Sequence, residues 1–168
     1  FIPWTYPGLA HGTACLESEE QLSCYLASYG EMHKGKLQRI MADFPFSKIN
    51  SDFEVIDWGC GQGIATVCFI DYLRKHDLDG KLQKITLIEP STMALSRAEL
   101  LCSRFYPDAE INVINKQFDD LTNEDLSLSL EIPTIHLLSN ILDVDSYDLQ
   151  HFSQIVKERS VGDNEYVL

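Results

Sequence analysis

Three alternating glycines near the middle of the chain constrain its fold more than any other feature. Residues 55–66 have the sequence Val-Ile-Asp-Trp-Gly-Cys-Gly-Gln-Gly-Ile-Ala-Thr, in which a short apolar run leads into the glycines at 59, 61 and 63. This order predicts a buried strand that delivers a tight, side-chain-free turn to the N-terminus of a helix. Such a turn lets a ligand lie against the backbone, where amide groups and the positive end of the helix dipole face it.

Strand and helix patterns alternate on both sides of this turn. We predict strands over residues 53–58, 84–89, 110–115, 134–138 and 165–168, and helices over residues 64–76, 92–106 and 146–159. Ser91 is the predicted N-cap of the second of these helices. Strands that alternate with helices of this length are typical of right-handed βαβ units, so we predict an α/β fold with a mostly parallel sheet covered on both faces.

The first 50 residues have a different pattern. Residues 1–17 contain prolines, glycines and aromatic side chains that predict an irregular arm packed on another part of the protein. A helix is predicted from Ser18, and Gly30 is expected to divide it from a second helix over residues 31–44. We therefore assign residues 1–50 to an arm and helices that form a lid or appendage, and residues 51–168 to the ligand-binding domain.

Composition excludes several classes of protein. Thirteen basic and 26 acidic residues give a net charge of −13, which disfavours direct binding to nucleic acid. No apolar run approaches the roughly 20 residues that a membrane-spanning helix needs, so no membrane association is expected. The N-terminus lacks an initiator Met and a basic signal region, and is expected to be a processed end or the start of an excised fragment.

The cysteines predict a reducing compartment and no metal site. Five cysteines without a CxxC pair predict reduced core thiols and a cytoplasmic location. His11 and Cys15 could supply two metal ligands, but no second pair completes a site, so no metal is expected.

The glycine spacing distinguishes among nucleotide-binding turns. A dinucleotide fingerprint has the spacing G-x-G-x-x-G, and Ile64 stands where its third glycine would be, which disfavours a nicotinamide-dependent dehydrogenase. A phosphate-binding P-loop requires a lysine after its last glycine, and none follows Gly63.

Two acids complete a pattern that resembles the class I S-adenosylmethionine-dependent methyltransferases. Asp57 stands two positions before the G-x-G-x-G run, and Glu89 ends the second predicted strand. The resemblance covers roughly residues 53–160 and implies a Rossmann-like three-layer α/β/α sandwich. Full-length members add a reversed strand pair after strand five, so the C-terminal strands of the family are expected to be missing from this chain, as in a truncated or excised domain. The open sheet edge would then suit a partner chain or a homo-oligomer.

The resemblance also implies a set of cofactor-binding residues. Asp57 would serve the ammonium end of S-adenosylmethionine, and Glu89 would accept hydrogen bonds from both ribose hydroxyls. Phe118 would cover the adenine face, and Asp119 would accept from its exocyclic amine. The further residues that the resemblance assigns to the cofactor site are Gly59, Cys60, Gly61, Gln62, Gly63, Pro90 and Ser139.

The sequence does not name the methyl acceptor. Residues 138–143, after the fourth predicted strand, depart from the Asn/Asp-Pro-Pro-aromatic motif with which members of the family hold planar amines. Ser139, Asn140, His33 and Tyr29 are the candidate catalytic residues. The expected reaction is in-line methyl transfer to an unidentified small molecule, protein or RNA, which needs alignment rather than a nucleophile–base pair. The alternative is a non-catalytic cofactor-binding or assembly module that another segment or partner completes.

Overall fold

The computed structural model describes residues 7–44, 51–126, 132–142, 147–159 and 164–167. The strands are β1 Phe53–Trp58, β2 Leu82–Ile88, β3 Glu110–Ile114, β4 Thr134–Leu137 and β5 Asn164–Val167. The helices are α1 Glu19–Tyr25, α2 Glu31–Asp43, α3 Ile64–Lys75, α4 Thr92–Phe105 and α5 Leu149–Arg159. The five strands form one parallel sheet in the order β3-β2-β1-β4-β5, so β3 and β5 are its edges in the described part of the chain.

Successive side chains of β1 point to opposite faces of the sheet and enter different cores. Phe53 and Val55 belong to the core on the face covered by α3 and α4. Ile56 and Trp58 belong to the core on the other face, which α5 covers. Because the sheet is buried on both faces, all six residues of this central strand are buried, and four of the six are apolar. The structure confirms the predicted three-layer α/β/α fold.

Two buried hydrogen bonds in series, between side chains, link three neighbouring strands below the glycine turn. The indole Nε1 of Trp58 donates to Nδ1 of His136 over 3.1 Å, and Nε2 of His136 lies 3.0 Å from Oδ1 of Asn164. Burial lowers the pKa of His136, and the Asn164 hydrogen bond partly opposes this. The imidazole is therefore neutral, accepts at Nδ1, and joins β1 to β4 and β5.

The N-terminal helices pack directly on this sandwich. Leu37 and Met41 of α2 lie in the same core as the side chains of α3. A third, smaller cluster joins the arm and α1 to Ala94 of α4, and its arm and α1 members are Leu9, Leu16, Leu22 and Cys24. Ser18 caps α1 as predicted, since its side chain accepts from Gln21 N.

Gly30 does not divide the first two helices, contrary to the sequence prediction. The backbone passes from α1 through a π-helical segment, Leu26–Gly30, directly into α2. Gly30 has ordinary right-handed helical angles, with φ of −56°. A single glycine lowers helix propensity without preventing helical geometry, so packing of the flanking helices decides the outcome here.

All five cysteines have free thiols, and three of them are buried. None of the helices in the described ranges is both long and apolar enough to cross a bilayer.

Candidate ligand-binding site

The glycine turn lies at the carboxyl ends of β1 and β2, and its three glycines all have positive φ angles, of 64°, 52° and 81°. A Cβ on Gly59 would lie 2.7 Å from Cγ2 of Ile141, and one on Gly63 would lie 3.1 Å from Cα of Ala98 in α4. A Cβ on Gly61 would meet no atom within 4 Å. The outer glycines therefore permit close packing, whereas Gly61 leaves space beside the backbone.

Glu89 fastens this turn to the start of α4. Its Oε2 accepts from Gly61 N over 3.1 Å, and its Oε1 accepts from Ser91 N over 2.9 Å. Asn115 holds the backbone at this point, because its Nδ2 donates to the carbonyls of Glu89 and Pro90, each over 2.8 Å. Burial raises the pKa of the Glu89 carboxyl, while the two backbone hydrogen bonds oppose the increase. Each carboxylate oxygen keeps a lone pair for a further donor.

Asp57 lies behind the turn, and the cleft described below does not include it in its lining. The side chain is 1% exposed, and its Oδ2 accepts from Thr66 Oγ1 over 2.6 Å and from Thr66 N over 3.2 Å. Its other oxygen, Oδ1, is buried without a hydrogen-bond partner. Desolvation raises the pKa of Asp57 to about 7, although the Thr66 hydrogen bonds oppose it. Asp57 thus secures the first turn of α3 and retains one unsatisfied buried oxygen.

A cleft of about 310 Å³ opens between the glycine turn and the N-terminal arm. Its volume is at the lower end of the range usual for small-molecule sites. The described residues that line it are Gly12, Thr13, Ala14, Cys15, Leu16, Tyr25, Gly59, Gly61, Glu89, Pro90, Gln117, Phe118, Ser139, Asn140, Ile141 and Tyr147. Two walls face each other: the ends of the strands with their loops, called here the sheet wall, and residues 12–16 with Tyr25, called the arm wall.

Polar contacts attach the arm wall to the sheet wall. Gln62, in the glycine turn, is 2% exposed and donates from Nε2 to Leu22 O of α1 over 3.0 Å. Its Oε1 accepts from Arg97, which also pairs with Glu19. The hydroxyl of Ser91 donates to Leu16 O and also caps α4 by accepting from Ala94 N. Gln62 therefore acts here as a structural link rather than as part of the cleft lining.

The loop after β3 contributes Gln117 and Phe118 to the cleft. The Phe118 ring lines the cleft and packs edge-on against Trp58 and Tyr147, with ring centroids 6.4 Å and 4.8 Å away. Asp119 is exposed, lies outside the cleft lining, and accepts from Asp148 N over 2.8 Å just before α5. Phe118 therefore lines the cleft, whereas Asp119 is turned toward α5.

Ser139 and Asn140 line the cleft directly after β4. Asn140 has a left-handed backbone with φ of 57°, a conformation that asparagine tolerates better than most residues. Its Nδ2 donates to Ser139 Oγ over 3.0 Å. These two candidate residues therefore form a small polar group next to Gly59 and opposite the arm wall.

Tyr29 and His33 lie behind Tyr25 and outside the cleft lining. Tyr29 stacks on His33 with centroids 6.0 Å apart, and both rings contact Tyr25. Tyr25 is the ring that reaches the cleft. Tyr25, Gln117, Tyr147 and residues 12–16 were not among the predicted site residues. For Tyr25 and residues 12–16 the available signal was the aromatic content of the arm and α1, which indicated packing but not a partner.

The remaining predicted residues act through the backbone or lie outside the cleft lining. Cys60 is buried, and its backbone N–H donates to Ile88 O over 2.9 Å, which ties the turn to β2. Burial raises the pKa of its thiol well above the ordinary value, so the thiol is unreactive. Gly63 starts α3. Within the described ranges, no group of three or more His, Cys, Asp or Glu side chains is arranged to hold a metal ion.

Comparisons with known proteins find likenesses of structure only. No family model matches the chain, and no curated protein sequence matches it. A protein of Methanococcus maripaludis described as an S-adenosylmethionine-dependent methyltransferase aligns with a TM-score of 0.54 at 9% identity, over 86% of this chain and 58% of its own. A Leishmania major S-adenosylmethionine-dependent methyltransferase aligns with a TM-score of 0.51 at 17% identity, over 96% of this chain and 58% of its own.

A third structure was solved with ligands. Geranyl diphosphate C-methyltransferase of Streptomyces coelicolor, in complex with Mg²⁺, geranyl diphosphate and S-adenosylhomocysteine, aligns with a TM-score of 0.51 at 13% identity, over 89% of this chain and 49% of its own. The chain therefore spans about half to three-fifths of the length of these proteins. At such identities the likeness is one of fold. The described part of this chain has the Rossmann-like fold of the class I S-adenosylmethionine-dependent methyltransferases.

Proposed function

We propose that this protein binds S-adenosylmethionine and transfers its methyl group to an acceptor. The observation that supports this most directly is that the glycine turn and Glu89 line the same cleft, where Glu89 Oε2 lies 3.1 Å from Gly61 N. An open α/β sheet binds its ligands at the carboxyl ends of its strands, which is where this cleft lies. When bound, the cofactor supplies a methyl group activated by a positively charged sulfur.

The residues of the turn fit the chemistry of this cofactor. Glu89 has acceptor capacity for ribose hydroxyls beyond its two backbone donors. Asp57 Oδ1 is a buried acceptor without a partner that lies behind the turn, so it suits the ammonium group of an amino-acid moiety through a bridging water rather than by direct contact. Gly61 leaves open space beside the backbone. The turn has no lysine of the kind that a bound triphosphate would need.

The chain's own part in methyl transfer is to orient the acceptor and to exclude water. Residues 12–16 cover the cleft from the arm side and limit access of solvent. Ser139 and Asn140 provide hydroxyl and amide groups that can hold an acceptor near Gly59. Alignment of this kind accelerates a displacement without a nucleophile–base pair. We place the reaction in the cytoplasm, in keeping with the five free thiols.

Isothermal titration with S-adenosylmethionine and S-adenosylhomocysteine tests this proposal. We expect both ligands to bind, and Glu89→Ala to weaken binding by about 1–3 kcal/mol, because hydrogen bonds to a charged acceptor are lost. Glu99→Ala is the matched control, since Glu99 is an exposed glutamate on α4 outside the cleft lining. Thermal unfolding of each variant establishes that it remains folded.

Two outcomes would change the proposal. If the folded wild-type protein binds neither ligand, the methyltransferase proposal is wrong. If it binds both ligands but releases no S-adenosylhomocysteine with a broad set of small-molecule, peptide and RNA acceptors, the non-catalytic binding module replaces the enzyme as the better proposal. Unchanged affinity in Glu89→Ala would show that the ribose lies elsewhere.

A further inference from the structure

Tyr25 is an aromatic residue held firmly in the arm wall. It ends α1, it lines the cleft, and its ring packs on two others. The centroid of the Tyr29 ring lies 5.2 Å away at an interplanar angle of 55°, and that of His33 lies 5.9 Å away at 68°. Rings at these distances and angles attract one another, so the neighbours fix the orientation of Tyr25 before any ligand arrives.

The charges around this ring favour a cation in the cleft. Of the lining residues that the structure describes, Glu89 is the only one with a formal charge at neutral pH, and none is a lysine or an arginine. Burial, the negative charge of Glu89 and the neighbouring Tyr29 raise the pKa of Tyr25 to about 12. The phenol thus stays neutral at physiological pH and lies within the electrostatic influence of the carboxylate.

These observations extend the proposed function, on which the inference depends. We propose that Tyr25 is a specificity-determining residue, whose ring favours the positively charged sulfonium of S-adenosylmethionine over the neutral thioether of S-adenosylhomocysteine. The face of an aromatic ring attracts a cation, and this attraction is strongest where water is excluded. Glu89 adds a second attraction of the same sign, and no basic side chain in the described lining opposes it. The preference would promote exchange of product for fresh cofactor.

Isothermal titration without any acceptor tests this role. The quantity measured is the dissociation constant of S-adenosylhomocysteine divided by that of S-adenosylmethionine, called here the ratio. We expect wild-type protein to bind S-adenosylmethionine more tightly than S-adenosylhomocysteine. Tyr25→Phe keeps the ring and should keep the ratio. Tyr25→Leu removes the ring and should lower the ratio roughly tenfold, mainly through weaker binding of S-adenosylmethionine. Tyr72→Leu, on α3 outside the cleft lining, is the control and should change neither constant.

A wild-type protein that binds both ligands equally, or a Tyr25→Leu protein that keeps the wild-type ratio, would overturn this inference and leave the proposed function intact. Failure of wild-type protein to bind either ligand would overturn both. If Tyr25→Leu does not fold, Tyr25→Trp replaces it, and a ratio below that of wild type would contradict the inference.

Discussion

The two walls of the cleft are built in different ways. The sheet wall depends mainly on backbone geometry. Its glycines have positive φ angles, the Cys60 N–H donates to Ile88 O, and two backbone N–H groups donate to the Glu89 carboxylate. The arm wall and the adjoining helix α1 are held by side chains from distant parts of the chain, since Ser91 donates to Leu16 O of the wall and Gln62 donates to Leu22 O of α1. Its apolar support is the small third cluster rather than the two main cores.

This difference predicts different responses to perturbation. Glycine substitutions in the sheet wall should affect the stability of the whole fold wherever the glycine packs against another element. Loss of a side-chain contact to the arm should instead release the arm while the sheet stays folded. Local unfolding occurs most readily in the regions of a protein that have the fewest buried contacts. The three predictions below test this contrast.

The largest effect is expected from glycine substitutions within the turn. In Gly63→Ala, a left-handed backbone strains the new residue and its Cβ lies 3.1 Å from Cα of Ala98, so we expect the free energy of unfolding to fall by about 4 kcal/mol. In Gly61→Ala the strain is similar but no atom lies within 4 Å, so the loss should be about 1 kcal/mol. Urea denaturation measures both values.

The same pair separates packing from ligand binding. The Cβ of Gly61→Ala enters the space beside the turn, so this variant should bind S-adenosylmethionine at least tenfold more weakly while remaining folded. Equal losses of stability in the two variants would contradict the distinct roles that we assign to these glycines.

A smaller effect is expected from the buried carboxyl at the end of β1. Asp57 has a raised pKa of about 7 in the folded protein against 3.8 as its ordinary value, so the folded state binds more protons between these limits. The contribution of this group to stability is therefore full below about pH 4 and is lost progressively as the pH rises through about 7. In Asp57→Asn, which keeps an oxygen to accept from Thr66, this loss should disappear.

Thermal and urea unfolding from pH 4 to pH 8 measure the difference between the two proteins, which isolates Asp57 from Glu89 and other titrating groups. The stability advantage of Asp57→Asn over the wild-type protein should grow as the pH rises. The variant should also bind S-adenosylmethionine more weakly than the wild-type protein does. A constant difference across this range would show that Asp57 titrates normally and is not held in an unfavourable buried state.

The smallest effect on the sheet itself is expected from a substitution at the link between the walls. Gln62→Ala leaves Leu22 O and Arg97 without this partner, which should reduce stability by about 1–2 kcal/mol. Hydrogen exchange should become faster in residues 12–25 and stay unchanged in β1 and β2. Gln154→Ala, an exposed glutamine on α5, is the matched control. Uniformly faster exchange throughout the protein would show that the arm unfolds only together with the sheet.

Local patterns were sufficient for most of the fold. The apolar run before Asp57, the glycines and the caps at Ser18 and Ser91 are short-range signals, and the corresponding elements begin within about two residues of prediction. The prediction that Gly30 divides two helices was wrong, because the conformation of this residue depends on how the flanking helices pack. The predicted start of the last helix, at 146, falls outside the described residues, and α5 begins at Leu149 in the part that is described.

The parallel α/β class, the glycine turn and the two strand-end acids were predictable from the sequence alone, since each depends on residues near one another in the chain. Long-range packing places Glu89 at the cleft and Asp57 behind it, turns Asp119 toward α5, and brings Tyr25 rather than Tyr29 to the cleft. Periodicity could not predict this, because it places a side chain only on a face of its own element. What that face meets is set by contacts such as that between Gln62 and Leu22, which lie 40 residues apart.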